Sequence, residues 1–267
     1  MMSINGQNPG PLVGPPIDGL TDQLVRPVVV RGSDMRPGRR ITAHAHDWGQ
    51  LLYAAEGVMA VYTGQGNWVV PPERAVWIPP RTDHGLYAPH GVKFRSLHVG
   101  LEFCRLMANH CYVMAVSSVM REMLVRSADL PKDYDEDGPD GRFMRVIIDQ
   151  MVAAKPVPLH LPMPGDLRLV QITEALVADP SDSRGLEDFA RDVGASSRTL
   201  ARLFDRELGM TFRQWRQQRR LMASLEMLAA GEAVTSVALD LGYDSPSAFI
   251  AMFKRTLGVT PTAYFGR

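Results

Sequence analysis

Residues 186–208 read LEDFARDVGASSRTLARLFDREL, and this stretch decides the fold of the C-terminal part of the chain. Leu186, Phe189, Ala190 and Val193 recur at helical spacing and give a short helix one apolar face. Gly194 ends that helix, because glycine readily enters the left-handed conformation that a tight turn requires. Ser196 and Ser197 are the candidate caps of the next helix, since a serine oxygen accepts from a free N–H of the first turn. Leu200, Leu203 and Phe204 then bury that second helix. Two short helices around a glycine turn have the layout of a helix-turn-helix.

The layout recurs at 234–257, VTSVALDLGYDSPSAFIAMFKRTL. Val234, Val237, Ala238 and Leu241 form the first apolar face, Gly242 marks the turn, and Ser245 is the cap candidate. Phe249, Met252, Phe253 and Leu257 bury the second helix. Gly194 and Leu200 are six residues apart but Gly242 and Phe249 are seven, so the second turn is one residue longer. A helix over 211–229, TFRQWRQQRRLMASLEMLA, joins the two motifs. It turns Phe212, Trp215, Leu221, Leu225 and Leu228 to the core and Arg213, Arg216, Arg219 and Arg220 to solvent or phosphate.

These residues resemble the DNA-binding domain of the AraC/XylS family of bacterial transcription regulators. The matching stretches are Ala190 through Phe204, Ala238 through Phe253, and Gly258 to Pro261 with Tyr264. The resemblance implies two motifs in successive major-groove segments of double-stranded promoter DNA, roughly 34 Å apart. It implies base contacts from Arg198, Ala201 and Arg202, with Ser197 beside them on the outward face. Arginine suits guanine, which it meets bidentately. The second helix turns out Pro246, Ser247, Ile250, Ala251 and Lys254. Ile250 and Ala251 suit thymine methyl groups and Lys254 suits phosphate, so the first helix is expected to set most of the specificity. The family also favours a homodimer, and an activator would contact RNA polymerase.

Toward the N-terminus the pattern changes period. Short β-branched and aromatic runs at 28–30, 50–53, 58–62, 68–70, 75–78 and 94–99 alternate with Gly, Pro and charged turns. Many short strands at even spacing indicate a small barrel or jelly roll. Within it, His44 and His46 alternate as on one strand, Gln50 follows, and His84 lies beyond Trp77-Ile78-Pro79-Pro80. This constellation resembles the cupin fold, which is also the sensor domain of many AraC-type regulators. Gln50 stands where the cupin glutamate would be, Arg81 where a glycine would be, and Ala88 where an asparagine would be. His44, His46 and His84 are candidate ligands of a divalent transition metal, with Gln50 as a further, neutral ligand. The alternative is a hydrogen-bonded lining of a small-molecule site. Trp77 joins His44, His46, Gln50 and His84 as a candidate effector contact at the cavity mouth, whereas His90, His98, His110 and His160 fit neither motif.

The resulting division is a flexible arm at 1–22, a cupin sensor at 23–105, a helical linker at 106–179 and the double helix-turn-helix at 180–267. The linker region contains an expected helix at 112–129 whose apolar face either dimerises or packs on its own barrel, and a second at 141–153.

Composition narrows the function classes. The chain has 267 residues, 29 basic and 29 acidic, so the charge is balanced overall. Residues 1–179 carry 17 basic and 19 acidic side chains, and 180–267 carry 12 and 10, which permits a DNA-binding C-terminal part. No apolar run reaches the ~18 residues of a membrane span, and two cysteines make no disulfide framework, so a cytoplasmic protein is expected. The expected function is a transcription regulator controlled by an effector, not an enzyme. The competing readings are a cupin metalloenzyme, such as an isomerase or dioxygenase, and a DNA-binding protein that needs no effector.

Overall fold

The computed structural model describes residues 24–266, so the expected arm at 1–22 lies outside the described residues. Two compact units divide the chain near residue 160.

The first unit is a β-sandwich of the jelly-roll type. Its strands are β1 (Val28–Met35), β2 (Arg39–His44), β3 (Gly49–Gly57), β4 (Met59–Thr63), β5 (Gly66–Val70), β6 (Arg74–Ile78), β7 (His84–Ala88) and β8 (Val92–Val99). A short helix α1 (Leu101–Cys104), strand β9 (Tyr112–Ala115), helices α2 (Ser118–Ser127) and α3 (Pro139–Ala153), and strand β10 (Pro156–Val157) follow. One antiparallel sheet runs β1-β8-β3-β6-β9-β10, and the other holds β5, β4, β7 and β2 in that order.

Side chains alternate across a strand, so each strand of the first sheet serves two environments. Val28, Val30, Leu51, Tyr53, Trp77 and Leu97 share one face and form a core with Met120, Leu124, Ile147, Ile148 and Met151 from α2 and α3. Gln50, Ser96 and His98 occupy the other face, where β3 and β8 pair Gln50 with His98. Fully burying each of these aliphatic or aromatic side chains contributes about 1.5–3 kcal/mol.

The helix expected over 112–129 is split. Residues Tyr112–Ala115 pair with β6, and Ser117 starts the helix by accepting from the Met120 N–H at 3.1 Å. A four-residue apolar run carries no reliable period, and the β-branched Val113 fits the pleated sheet. Of the two alternatives for the apolar side of α2, packing on its own barrel is the one observed, as Met120 and Leu124 show. Residues 112–157, expected within a linker, therefore complete the first unit.

The second unit contains α4 (Leu167–Ala178), α5 (Leu186–Asp192), α6 (Ser197–Leu208), α7 (Phe212–Ala229), α8 (Val234–Asp240), α9 (Pro246–Leu257) and α10 (Pro261–Phe265). Trp215 of α7 is fully buried and its indole donates to Pro162 O at 2.9 Å. Phe189 and Phe204 meet Phe212 edge-on at 5.8 and 5.5 Å, which fixes α5 and α6 on the start of α7. In the second motif Phe253 of α9 meets Tyr264 of α10 edge-on at 5.8 Å, which fixes α10 on α9.

Candidate functional site

In the second unit, each recognition-helix candidate is held by a serine cap and a buried aromatic pair. Ser196, not Ser197, caps α6 by accepting from Thr199 N–H at 3.1 Å. Leu200, Leu203 and Phe204 are buried, which leaves Arg198, Ala201 and Arg202 exposed and Ser197 half-buried. Ser245 caps α9 through Ala248 N–H at 3.2 Å, with Pro246 in the first turn. Ser247, Ala251 and Lys254 are exposed and Ile250 is half-buried. Gly194 and Gly242 both hold positive φ, at 65° and 71°, in the two turns.

The cations of this unit sort into two sets. Arg184, Arg191 and Arg206 are paired with Asp182 and Asp192, Asp188, and Glu207. Arg216 donates to Arg184 O at 2.9 Å, and the buried Arg219 donates to Val177 O at 2.9 Å. Arg220 donates to Pro180 O, Ser181 O and Gly242 O at 2.8, 3.2 and 3.1 Å. These three arginines, expected at solvent or phosphate, are committed to carbonyls. In this unit, among the described residues, the side chains of Arg198, Arg202, Arg213, Lys254 and Arg255 have no protein hydrogen-bond or ion-pair partner.

In the first unit, the topology brings two histidines together on the second sheet and sets a third beside them, with Gln50 of the first sheet in reach. His44 ends β2 and lies opposite His84 of β7. β2 stops at His44, so His46 sits in the following loop rather than on the strand. It still converges: the rings of His44 and His46 lie 4.5 and 5.0 Å from that of His84. The loop is held by Arg81, whose N–H donates to His46 O and whose side chain donates to Asp47 Oδ1, both at 2.8 Å. Arg81 adopts φ 61°, a conformation that favours the glycine it replaces, at a cost of about 1–3 kcal/mol. Gly49 admits the next turn, because a Cβ there would lie 2.2 Å from the Trp77 ring.

Hydrogen bonds decide which nitrogen each ring presents. His44 Nδ1 faces Thr42 O at 2.9 Å, His46 Nδ1 faces Trp48 O at 2.7 Å, and His84 Nδ1 faces Thr82 O at 2.8 Å. A carbonyl only accepts, so each Nδ1 carries a proton, and the neutral form of each ring turns an Nε2 lone pair inward. Gln50 Oε1 lies 2.9 Å from His84 Nε2 and 3.3 Å from His46 Nε2. Burial pushes His84 down from 6.5 to about 3, and the neighbouring His44 and His46 push the same way. Burial also holds His46 below its ordinary value, against the raising effect of the Gln50 and Trp48 bonds.

Trp77 does not join this group. It is fully buried on the opposite face of the sheet, where its indole donates to Ala108 O at 2.9 Å. Trp48 takes the aromatic place instead, stacked on His46 with centroids 4.8 Å apart and 5.6 Å from His98. His98, read from sequence as outside the motif, is buried beside the site and reaches Ser96 Oγ at 3.0 Å. Arg31 lies opposite Ser96, and the Arg31 Nε and Trp48 Nε1 atoms are buried without protein acceptors. Strand parity was the missed signal: Ser96 and His98 alternate with the core residues Leu97 and Val99.

Comparison with known proteins gives both units a family. Residues 26–109 match the AraC-like ligand binding domain, and residues 189–267 match a helix-turn-helix domain. The HTH-type transcriptional regulator NimR of Escherichia coli (strain K12) is 32% identical over 92% of this chain and 85% of its own length. This chain belongs to the AraC-type family of transcriptional regulators. It is a DNA-binding regulator with an N-terminal ligand-binding domain of cupin type. The HTH-type regulator RipA of Corynebacterium glutamicum is 32% identical over 39% of the chain, which spans only 31% of RipA. ToxT from Vibrio cholerae, a solved structure, is 12% identical over 90% of this chain and 98% of its own, with a TM-score of 0.39. Among the described residues of this AraC-type regulator, no helix is long and apolar enough to cross a membrane.

Proposed function

We propose that the ligand-binding unit is a sensor built around a divalent transition metal, and that its state controls promoter binding by the second unit. The observation that carries the sensor reading is the convergence of His44, His46 and His84, whose ligand atoms lie within 4.8 Å of one another. Their Nδ1 atoms are already fixed by backbone carbonyls, the usual outer-shell arrangement for metal-binding histidines. Gln50 Oε1 adds a neutral fourth donor, so a bound cation keeps its full charge and attracts an anionic or otherwise coordinating effector. Such an effector regulates only if it binds two conformations of the protein unequally.

Arg198 and Arg202 of α6 read bases on double-stranded promoter DNA, with Ser197 and Ala201 beside them. Ser247, Ile250, Ala251 and Lys254 of α9 supply weaker base contacts and a phosphate contact. The support for this division is that the free α6 arginines, Arg198 and Arg202, lie in its first half, whereas the free cations of α9, Lys254 and Arg255, lie in its last turn and its earlier turns expose Ser247 and Ala251. The protein works in the cytoplasm as a homodimer, and it contacts RNA polymerase at any promoter that it activates.

Metal content of the full-length protein, purified without chelators, tests the sensor reading. About one metal per chain, lost in a His44→Ala/His84→Ala variant that stays folded, is the expected result. A folded protein that takes up no divalent ion, even when one is added, overturns it.

A further inference from the structure

Gln50 joins two polar clusters, and the chemistry of each neighbour fixes the direction of its bonds. Its Nε2 donates to Ser96 Oγ at 2.8 Å, and Ser96 Oγ lies 3.0 Å from His98 Nε2. In this arrangement the Ser96 hydroxyl sends its own proton to His98 Nε2, which leaves the His98 proton on Nδ1. On the other side, Gln50 Oε1 meets the Nε2 atoms of His84 and His46 at 2.9 and 3.3 Å. Those atoms carry lone pairs, because both Nδ1 protons are committed to carbonyls. Oxygen and nitrogen lone pairs at this distance repel unless a cation lies among them. Turning the amide over removes the repulsion without a cation. The NH2 then donates to both imidazoles, Gln50 Oε1 accepts from the Ser96 hydroxyl, and His98 Nε2–H donates to Ser96 Oγ.

We propose that Gln50, Ser96 and His98 form a relay whose hydrogen bonds reverse direction when the three-histidine site takes up a divalent cation. The inference rests on the metal reading above. His98 loses a proton at Nε2 and gains one at Nδ1, so the protein gains and loses no net charge in the relay. Ser96 and His98 are positioning residues, both buried. The relay gives the glutamine a role that the cupin glutamate cannot fill, because a carboxylate has no N–H with which to reverse. It ends on β8, opposite Val29 and Arg31 of β1. The unpartnered Arg31 Nε there places a polar group next to the residue that changes.

The test is a pair of two-bond proton–nitrogen spectra of the full-length protein labelled with 15N-histidine, without metal and with one equivalent of Zn²⁺. The expected result is His98 in the Nε2–H form without zinc and in the Nδ1–H form with it, its two ring nitrogens exchanging chemical-shift ranges. Ser96→Ala takes up zinc but loses the His98 response, and Ser96→Thr keeps it. Gln50→Glu takes up zinc and holds His98 as Nε2–H throughout. If the His44, His46 and His84 signals respond to zinc and His98 does not, the relay falls and the metal site stands. If none of the four responds, both fall.

Discussion

The two helix-turn-helix motifs share one plan but differ in how their turns are held. Gly194 and Gly242 both sit at positive φ, yet a Cβ on Gly194 would meet nothing within 4 Å. A Cβ on Gly242 would lie 2.7 Å from Ser181 O and 2.9 Å from Arg220 Nη2. The first turn is therefore a local device, set by its own backbone. The second is clamped by Arg220 of the joining helix, which also gathers the carbonyls of 180–182. The motifs differ outwardly as well: α6 turns out two free guanidinium groups, Arg198 and Arg202, in its first half, and α9 turns out Ser247, Ile250 and Ala251 there, with its free cations Lys254 and Arg255 in the last turn. On the function proposed above, a repeat at the level of fold carries two unequal halves of the DNA-reading work.

The largest effect separates the two turns. Gly242→Ala combines left-handed strain with displacement of a backbone oxygen and the Arg220 fork, and should destabilise the protein by roughly 3 kcal/mol. Gly194→Ala carries the conformational strain alone and should cost only about 1 kcal/mol. Urea unfolding of the two variants measures the difference. Equal losses would show that Arg220 does not clamp the second turn.

The plan that the two motifs share was legible in sequence because its causes are local, whereas the Arg220 clamp was not, because it joins residues about 20 and 40 positions apart. Glycine position, cap serine and apolar period all lie within about 20 residues, and even the longer second turn shows as a count. The centre of the first unit was legible only in part. His44, His46, Gln50 and His84 stand at a recognisable spacing, but Trp77 was misplaced because its direction depends on strand register. It pairs with Leu51, a core residue, and so points away from Gln50. Ser96 and His98 were hidden for the same reason: β8 reaches the site through pairing with β3, a contact across more than forty residues. The strand at 112–115 was hidden because four apolar residues satisfy either period.

The next effect sharpens the division of labour between α6 and α9. Arg202→Ala should weaken binding to the specific operator by about 1–3 kcal/mol, roughly five- to 150-fold, through the loss of a bidentate base contact. Binding to unrelated duplex DNA should fall much less. Titrations of both duplexes at one salt concentration measure the ratio, and an equal loss on both would move Arg202 from base to phosphate.

The smallest effect lies on the other helix. Lys254 is exposed, free, and near the end of α9, where a cation also meets the helix's partial negative charge. A lysine that holds phosphate releases condensed counterions on binding, whatever the base sequence. Lys254→Ala should therefore weaken specific and non-specific complexes by a similar factor. It should also make the slope of log affinity against log salt less steep by about 1. Affinity measured across a salt series on both duplexes distinguishes this from base reading. A loss confined to the operator, with the slope unchanged, would mean that α9 reads sequence too, and the two motifs would then differ in chemistry but not in task.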